Sequence, residues 1–181
     1  MRAGEARYQR ETDSIDLALR FIWLEARTST IRAFTGLSHD RIRKLSHHYA
    51  HPSYRHRGKS PQQAGYFTRS PKVRHQASLL AGLLYSCGLS LDGPCSGPAF
   101  ACLVTGQLLL DAYEYYRQVV SVPVISFEHA VFLARCLQRG DQLRLVCCAE
   151  CNIPLLVERL PEGPRRCNYC EPGFRRRRSG C

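Results

Sequence analysis

Toward its C-terminal end the chain reads CCAECNIPLLVERLPEGPRRCNYC, Cys147 to Cys170. Four of these cysteines form two Cys-x2-Cys pairs, Cys148/Cys151 and Cys167/Cys170, with 15 residues between them. Each pair puts two thiolates on one side of a tight backbone loop. Two such loops brought together offer four soft ligands in a tetrahedron, about 2.3 Å from a metal. Such a site can fold a segment that has almost no core, because roughly 10 kcal/mol or more of binding energy becomes folding energy. Four thiolates leave no coordination position open, so the spacing predicts a structural metal and not a catalytic one. The expectation is one zinc ion per chain on Cys148, Cys151, Cys167 and Cys170. An iron–sulfur cluster uses the same four thiolates. Cys147 is an alternative to Cys148, although the x2 spacing closes the knuckle through Cys148.

A thioredoxin-type redox site needs one Cys-x-x-Cys on a larger sheet, not two knuckles beside a turn. Disulfides depend on compartment. Residues 1–13 are polar and lack the apolar stretch of a secretory leader, and no run of 18 apolar residues exists. A cytoplasmic protein without a membrane partner is expected, with its ten cysteines reduced or metal-bound.

The formal net charge is +11, which favours a polyanionic partner. It is unevenly spread. Residues 1–75 carry 15 Lys/Arg against 6 Asp/Glu, residues 76–140 carry 3 against 4, and residues 141–181 carry 8 against 5. A near-neutral middle lies between basic ends, as in a scaffold with basic surfaces attached.

Along the chain, Asp13 or Ser14 can cap a helix through about Arg27, with Ile15, Leu19, Ile22 and Ala26 as its apolar stripe. A short helix through Phe34 should end at Gly36. Ser38 can cap the next one, with Ile42, Leu45 and Tyr49 turned inward. This is helix-turn-helix grammar over residues 29–49, although Arg32 sits where such a motif normally wants a small residue. The outer face of the second helix carries His39, Arg41, Arg43, Lys44, His47 and His48, which suits a groove lined with phosphates. A basic loop over 51–71 follows, punctuated by Pro52, Gly58, Pro61, Gly65 and Pro71. Its basic and aromatic residues can grip a nucleic-acid backbone, or Tyr66-Phe67 can anchor the loop on the core.

The middle, 73–140, reads as helical: Val73 to Cys87, Ala99 to Val120, and Phe127 to Arg139 capped by Ser126 and stopped by Gly140. Cys87, Cys95, Cys102 and Cys136 fall in or beside these segments as core or near-core thiols. Tyr113, Tyr115 and Tyr116 are expected to pack helix on helix. Strands are expected at Leu143 to Val146 and Ile153 to Leu160, with a turn at Pro161 to Pro164. No phosphate-binding glycine loop, nucleotide fingerprint or nucleophile elbow is present, so no enzyme and no small-molecule substrate is expected. The fold class is mainly α: a helical domain over 1–140 with a helix-turn-helix-like N-terminal part, then a small zinc-ribbon-like module with a basic tail over 141–181.

Three stretches in order, LSHDRIRKL (Leu37 to Leu45), GKSP (Gly58 to Pro61) and the cysteine quartet followed by EP, resemble the FlhC family. That family is the zinc-containing subunit of the bacterial flagellar master regulator FlhD–FlhC, and the resemblance spans roughly residues 13–178. It implies a mainly helical subunit of a hetero-oligomer with FlhD. It also implies binding to promoter DNA, activation of flagellar operons with RNA polymerase, and zinc on Cys148, Cys151, Cys167 and Cys170. The residues expected to meet DNA are Arg41, Arg43 and Lys44, then Arg165 and Arg166 beside the second knuckle, and Arg175, Arg176, Arg177 and Arg178 beyond it. The alternative is a zinc-stapled helical adaptor that acts only through protein contacts.

Overall fold

The computed structural model describes residues 3–49, 61–89, 102–160 and 166–170. Among these residues, six helices precede one two-stranded sheet. They are α1 (Ala3–Trp23), α2 (Thr28–Thr35), α3 (His39–Tyr49), α4 (Pro71–Ser86), α5 (Leu103–Val119) and α6 (Phe127–Arg139), then β1 (Leu143–Cys147) and β2 (Pro154–Glu158). A 3-10 turn, Ala64–Phe67, leads into α4. The chain is therefore mainly helical, with a small sheet and a cysteine cluster toward its C-terminus. Among the described residues no helix is long and apolar enough to cross a membrane. Contacts group the chain into two compact units. One holds α1, α2, α3 and α5 as far as Asp111; the other holds the 3-10 turn, α4, the rest of α5, α6 and both strands.

In the first unit α1 starts well before the caps expected at Asp13 and Ser14. The Ser14 hydroxyl donates back to the Arg10 carbonyl at 2.8 Å, so it is satisfied inside a helix instead of opening one. The helix also ends before Arg27. Glu25 adopts a left-handed φ of 58°, and the N–H groups of Glu25 and Ala26 donate to the carbonyls of Ile22 and Phe21 at 3.0 and 2.9 Å. This is a Schellman turn. The buried stripe is Leu17, Ala18, Phe21 and Ile22, whereas Ile15 and Leu19 of the expected stripe are half-buried. Phe21 meets Phe34 edge-on at 5.7 Å, which fixes α2 on α1.

The joint between α2 and α3 follows from local chemistry. Gly36 takes φ 70° and donates to the Arg32 carbonyl, ending α2. The Ser38 hydroxyl accepts the Arg41 N–H at 3.3 Å, capping α3. Between them the Thr35 hydroxyl donates to the Ile31 carbonyl and accepts the Leu37 N–H, which stiffens the turn. Ile42 is buried, Leu45 half-buried, and Tyr49, expected inward, is 52 % exposed. Among the described residues, burial on α3 thus falls along its length, from Ile42 to Tyr49. Gly106 of α5 marks a close approach: a Cβ there would lie 2.8 Å from Leu17 Cδ2 and 3.2 Å from Phe34 Cβ.

In the second unit Ser70 caps α4 by accepting the Val73 N–H, with Pro71 in the first turn. Ser126 caps α6 and Gly140 ends it at φ 64°, both as expected. Tyr66 donates to the Val124 carbonyl at 2.8 Å, and fully buried Phe67 stacks on Phe132. Within the described part of the basic loop, the Tyr66-Phe67 pair is an anchor. Gln76 is a buried polar hub. Its carbonyl oxygen accepts from Tyr116 Oη and the Val124 N–H, and its amide donates to the Val122 carbonyl at 3.0 Å. Tyr113 and Tyr116 are buried, while Tyr115 of the same expected cluster is 53 % exposed because it turns to the outer side of α5. Cys136 is buried and Cys87 half-buried. Cys102 is exposed, ahead of the first turn of α5, with its sulfur 3.3 Å from the Thr105 hydroxyl.

Candidate metal centre

β1 and β2 pair antiparallel, from Leu143 opposite Glu158 to Cys147 opposite Pro154. Alternation along β2 sorts its side chains. Leu155 and Val157 join Cys148 and Cys167 in a small buried cluster, edged by Val146 and Cys170. Leu156, between them, is buried, and its N–H donates to the Ser78 hydroxyl of α4 at 2.9 Å. The ribbon is thus attached to a helix while its other side carries the sulfurs.

Beyond each strand end a tight turn presents a cysteine pair. The Asn152 N–H donates to the Cys148 carbonyl at 2.9 Å, with Asn152 at φ 58°, and the Cys170 N–H donates to the Cys167 carbonyl at 3.0 Å. Asparagine is among the few residues other than glycine that readily accept this conformation. The two turns bring the sulfurs of Cys148, Cys151, Cys167 and Cys170 within 4.8 Å of one another. Cys151 and Cys167 sulfurs are 3.6 Å apart, far beyond the 2.05 Å of a disulfide. Ligands about 2.3 Å from a common centre are roughly 3.8 Å apart along a tetrahedral edge. The spread therefore suits four sulfurs around one ion. Cys147 is exposed at the end of β1 and is not one of the four.

The charges also suit a cation. The backbone N–H groups of Cys167, Cys151 and Glu150 hold the Cys148 thiol down to about 6, and the Cys167 N–H reaches its sulfur at 3.3 Å. The neighbouring sulfurs of Cys151 and Cys167 push Cys170 up to about 12. One thiolate is welcome in the cluster, and Cys151 and Cys170 resist ionising beside it. A bound cation removes that conflict, since each ligand must lose its proton to bind. These four cysteines can hold a metal ion.

No protein-family model and no curated protein matches this chain.

The expected DNA-contacting residues that are described fall in both units. Arg41, Arg43 and Lys44 are all exposed on α3, in the first unit. Arg41 Nη2 is 2.7 Å from Glu11 Oε1 on α1. His39 and Arg32 line an open depression of about 520 Å³ with Thr28, Ser29 and Ala33. Arg166, in the second unit, pairs with Glu150 at 2.8 Å, joining the two knuckles by an exposed ion pair. Arg165, Arg175, Arg176, Arg177 and Arg178 lie outside the described residues, as do Cys95, residues 51–60 of the basic loop and the turn at Pro161 to Pro164. Reading the sequence for ligands passed over Asn168 and Tyr169, which fill the second knuckle and contact α4. An amide side chain held between two ligand cysteines is the feature that points to them.

Proposed function

We propose that this protein is the DNA-binding subunit of a transcriptional activator, with a structural zinc, of the FlhC kind. In this reading α2 and α3 form a helix-turn-helix, and β1, β2 and the two knuckles form a zinc ribbon. The partner is an FlhD-type subunit, and the complex acts with RNA polymerase at promoters of flagellar operons. The work is binding; no substrate is transformed.

The observation that carries this reading is the outer face of α3. Residues 39, 41, 43, 44, 47 and 48 are all exposed, and all are basic or histidine; Asp40 is the acidic residue among them, and Ile42 fastens the opposite side. Basic side chains on a fastened helix neutralise phosphates, and a smaller set reads bases. The chain's net charge of +11 favours the same partner. Zinc would offset half of the charge of the four thiolates and tie the knuckles together, holding Arg166 toward the duplex; Arg165 and Arg175 to Arg178 are the further arginines expected to meet it.

The test is binding of a promoter duplex against salt, with the partner present, for wild type and the Arg43→Ala/Lys44→Ala variant. Losing two phosphate contacts should flatten the log–log salt slope by about 2. An unchanged slope, or equal affinity for promoter and random duplex, would sink the proposal. The adaptor reading draws on one observation: Arg41 and Arg166 already face Glu11 and Glu150 within the chain. It gains if the complex forms and shows no preference for DNA.

A further inference from the structure

We infer that the second cysteine knuckle is a metal-set latch on the first turn of α4. The inference rests on the metal-centre reading and adds a consequence of filling that site. Asn168 and Tyr169 are the two residues between Cys167 and Cys170. The Asn168 amide nitrogen donates to the Pro71 carbonyl at 2.7 Å. Its amide oxygen accepts from Arg74 Nη2. The Tyr169 ring meets His75 edge-on at 5.2 Å. Three side-chain contacts from one two-residue bridge therefore fall on residues 71, 74 and 75.

The bridge is positioned by its flanking cysteines. Its backbone is closed by the bond from the Cys170 N–H to the Cys167 carbonyl. The apolar cluster beneath is small: Leu155 and Val157 with Cys148 and Cys167, edged by Val146 and Cys170. A turn with so little core keeps its shape when both ends are bound to one ion. When the ion leaves, the sulfurs are free to separate and Asn168 loses its aim. The rest of α4 has its own support: Leu156 bonds to Ser78 one turn further along, and Leu80, Ala81 and Leu84 are fully buried. Loss of metal should therefore free the first turn of α4 and leave its body packed. That turn follows directly on Ser70 and on the Tyr66-Phe67 anchor, so occupancy of the site governs order at the head of α4. Metal then regulates a helix end far from it in sequence, beyond holding the ribbon together.

The test is amide hydrogen exchange on the full chain in three states: zinc-loaded, chelator-stripped, and zinc-loaded Asn168→Ala. Stripping should speed exchange at Val73, Arg74 and His75 by about tenfold or more, and Asn168→Ala with zinc retained should speed the same amides by roughly three- to tenfold. Leu80 and Leu84 should be unchanged between the two loaded forms. Asn168→Asp keeps an acceptor for Arg74 and loses the donor to Pro71, so its exchange should be intermediate. It also decides the matter if Asn168→Ala fails to retain zinc. Wild-type exchange at the three amides in a zinc-loaded Asn168 variant overturns the latch and leaves the metal site standing. Failure of the chain to take zinc from a chromophoric chelator overturns both, which separates the two failures.

Discussion

The α1–α3 cluster and the cysteine ribbon solve the same problem by different means. In α1–α3 the chain buries large apolar side chains, among them Leu17, Phe21, Ile31, Phe34 and Ile42, and closes helix ends with Ser38, Gly36 and the Schellman turn at Glu25. Each fully buried side chain of this size contributes about 1.5–3 kcal/mol toward the cost of ordering the helices. The ribbon has two five-residue strands and a cluster in which Cys148 and Cys167 replace aliphatic side chains. An isolated two-stranded hairpin is marginal at best in water. Packing on α4 helps the strands, but the knuckles lie beyond them and are tied chiefly by their sulfurs. A core can be weakened by degrees, whereas a cross-link among four ligands is present or lost.

The largest effect that can break this contrast comes from removing one ligand. Cys167→Ser should reduce zinc from one per chain to none under competition with a chelator. It should also remove exchange protection from the knuckles and leave the amides of α1–α3 as they were. The energy at stake is about 10 kcal/mol, most of what such a module can contribute to folding. A full complement of zinc in that variant would break the ligand assignment. Unfolding of α1–α3 in the stripped protein would show that the two regions are not stabilised separately.

A core truncation should give the reverse pattern with a smaller effect. Phe34→Ala removes the ring that meets Phe21 edge-on and lines the approach at Gly106. The expected loss is about 3–5 kcal/mol by denaturant titration, with zinc stoichiometry unchanged. A loss under about 1 kcal/mol would mean that the site collapses onto the gap and the packing here is looser than the burial of Phe34 suggests.

The two regions also differ in how well sequence foretold them. The cysteine cluster was legible because its spacing is local: a Cys-x2-Cys turn fixes its own geometry whatever surrounds it. The same holds for Gly36 with Ser38 and for Ser126 with Gly140, where cap and stop act within four residues. The start of α1 was not legible. Ser14 and Asp13 are cap-forming types, and only the back-bond from Ser14 to Arg10 shows that the helix continues through them. The stripe on α1 shifted because Leu17, Ala18 and Phe21 compete with Ile15 and Leu19, and the position of Phe34 decides which face is covered. Gln76 and Asn168 were illegible for a related reason. Their partners lie 40 or more residues away, at Tyr116, Val122 and Val124 for one and at Pro71 and Arg74 for the other.

The smallest expected effect asks whether acid sensitivity belongs only to the sulfurs. His129 on α6 stacks on Tyr66 at 4.1 Å, with its Nδ1 2.8 Å from the Ser126 hydroxyl. The Arg69 guanidinium lies 4.2 Å from the centre of the same Tyr66 ring. Burial lowers the His129 pKa below 6.5, the nearby Arg69 charge adds to this, and Glu128 opposes it. The folded state therefore binds fewer protons at this site than the unfolded state. The stabilisation from neutral His129 is complete above pH 6.5 and is lost as pH falls through its lower folded value. His129→Phe keeps a ring against Tyr66 and cannot take up a proton. Zinc-saturated wild type should accordingly lose more stability than zinc-saturated His129→Phe between pH 7.5 and about 5.5, in urea titrations at each pH. Parallel losses in the two proteins would take His129 out of the acid response. A steeper loss in wild type would place an acid-sensitive contact in the helical packing, separate from the metal.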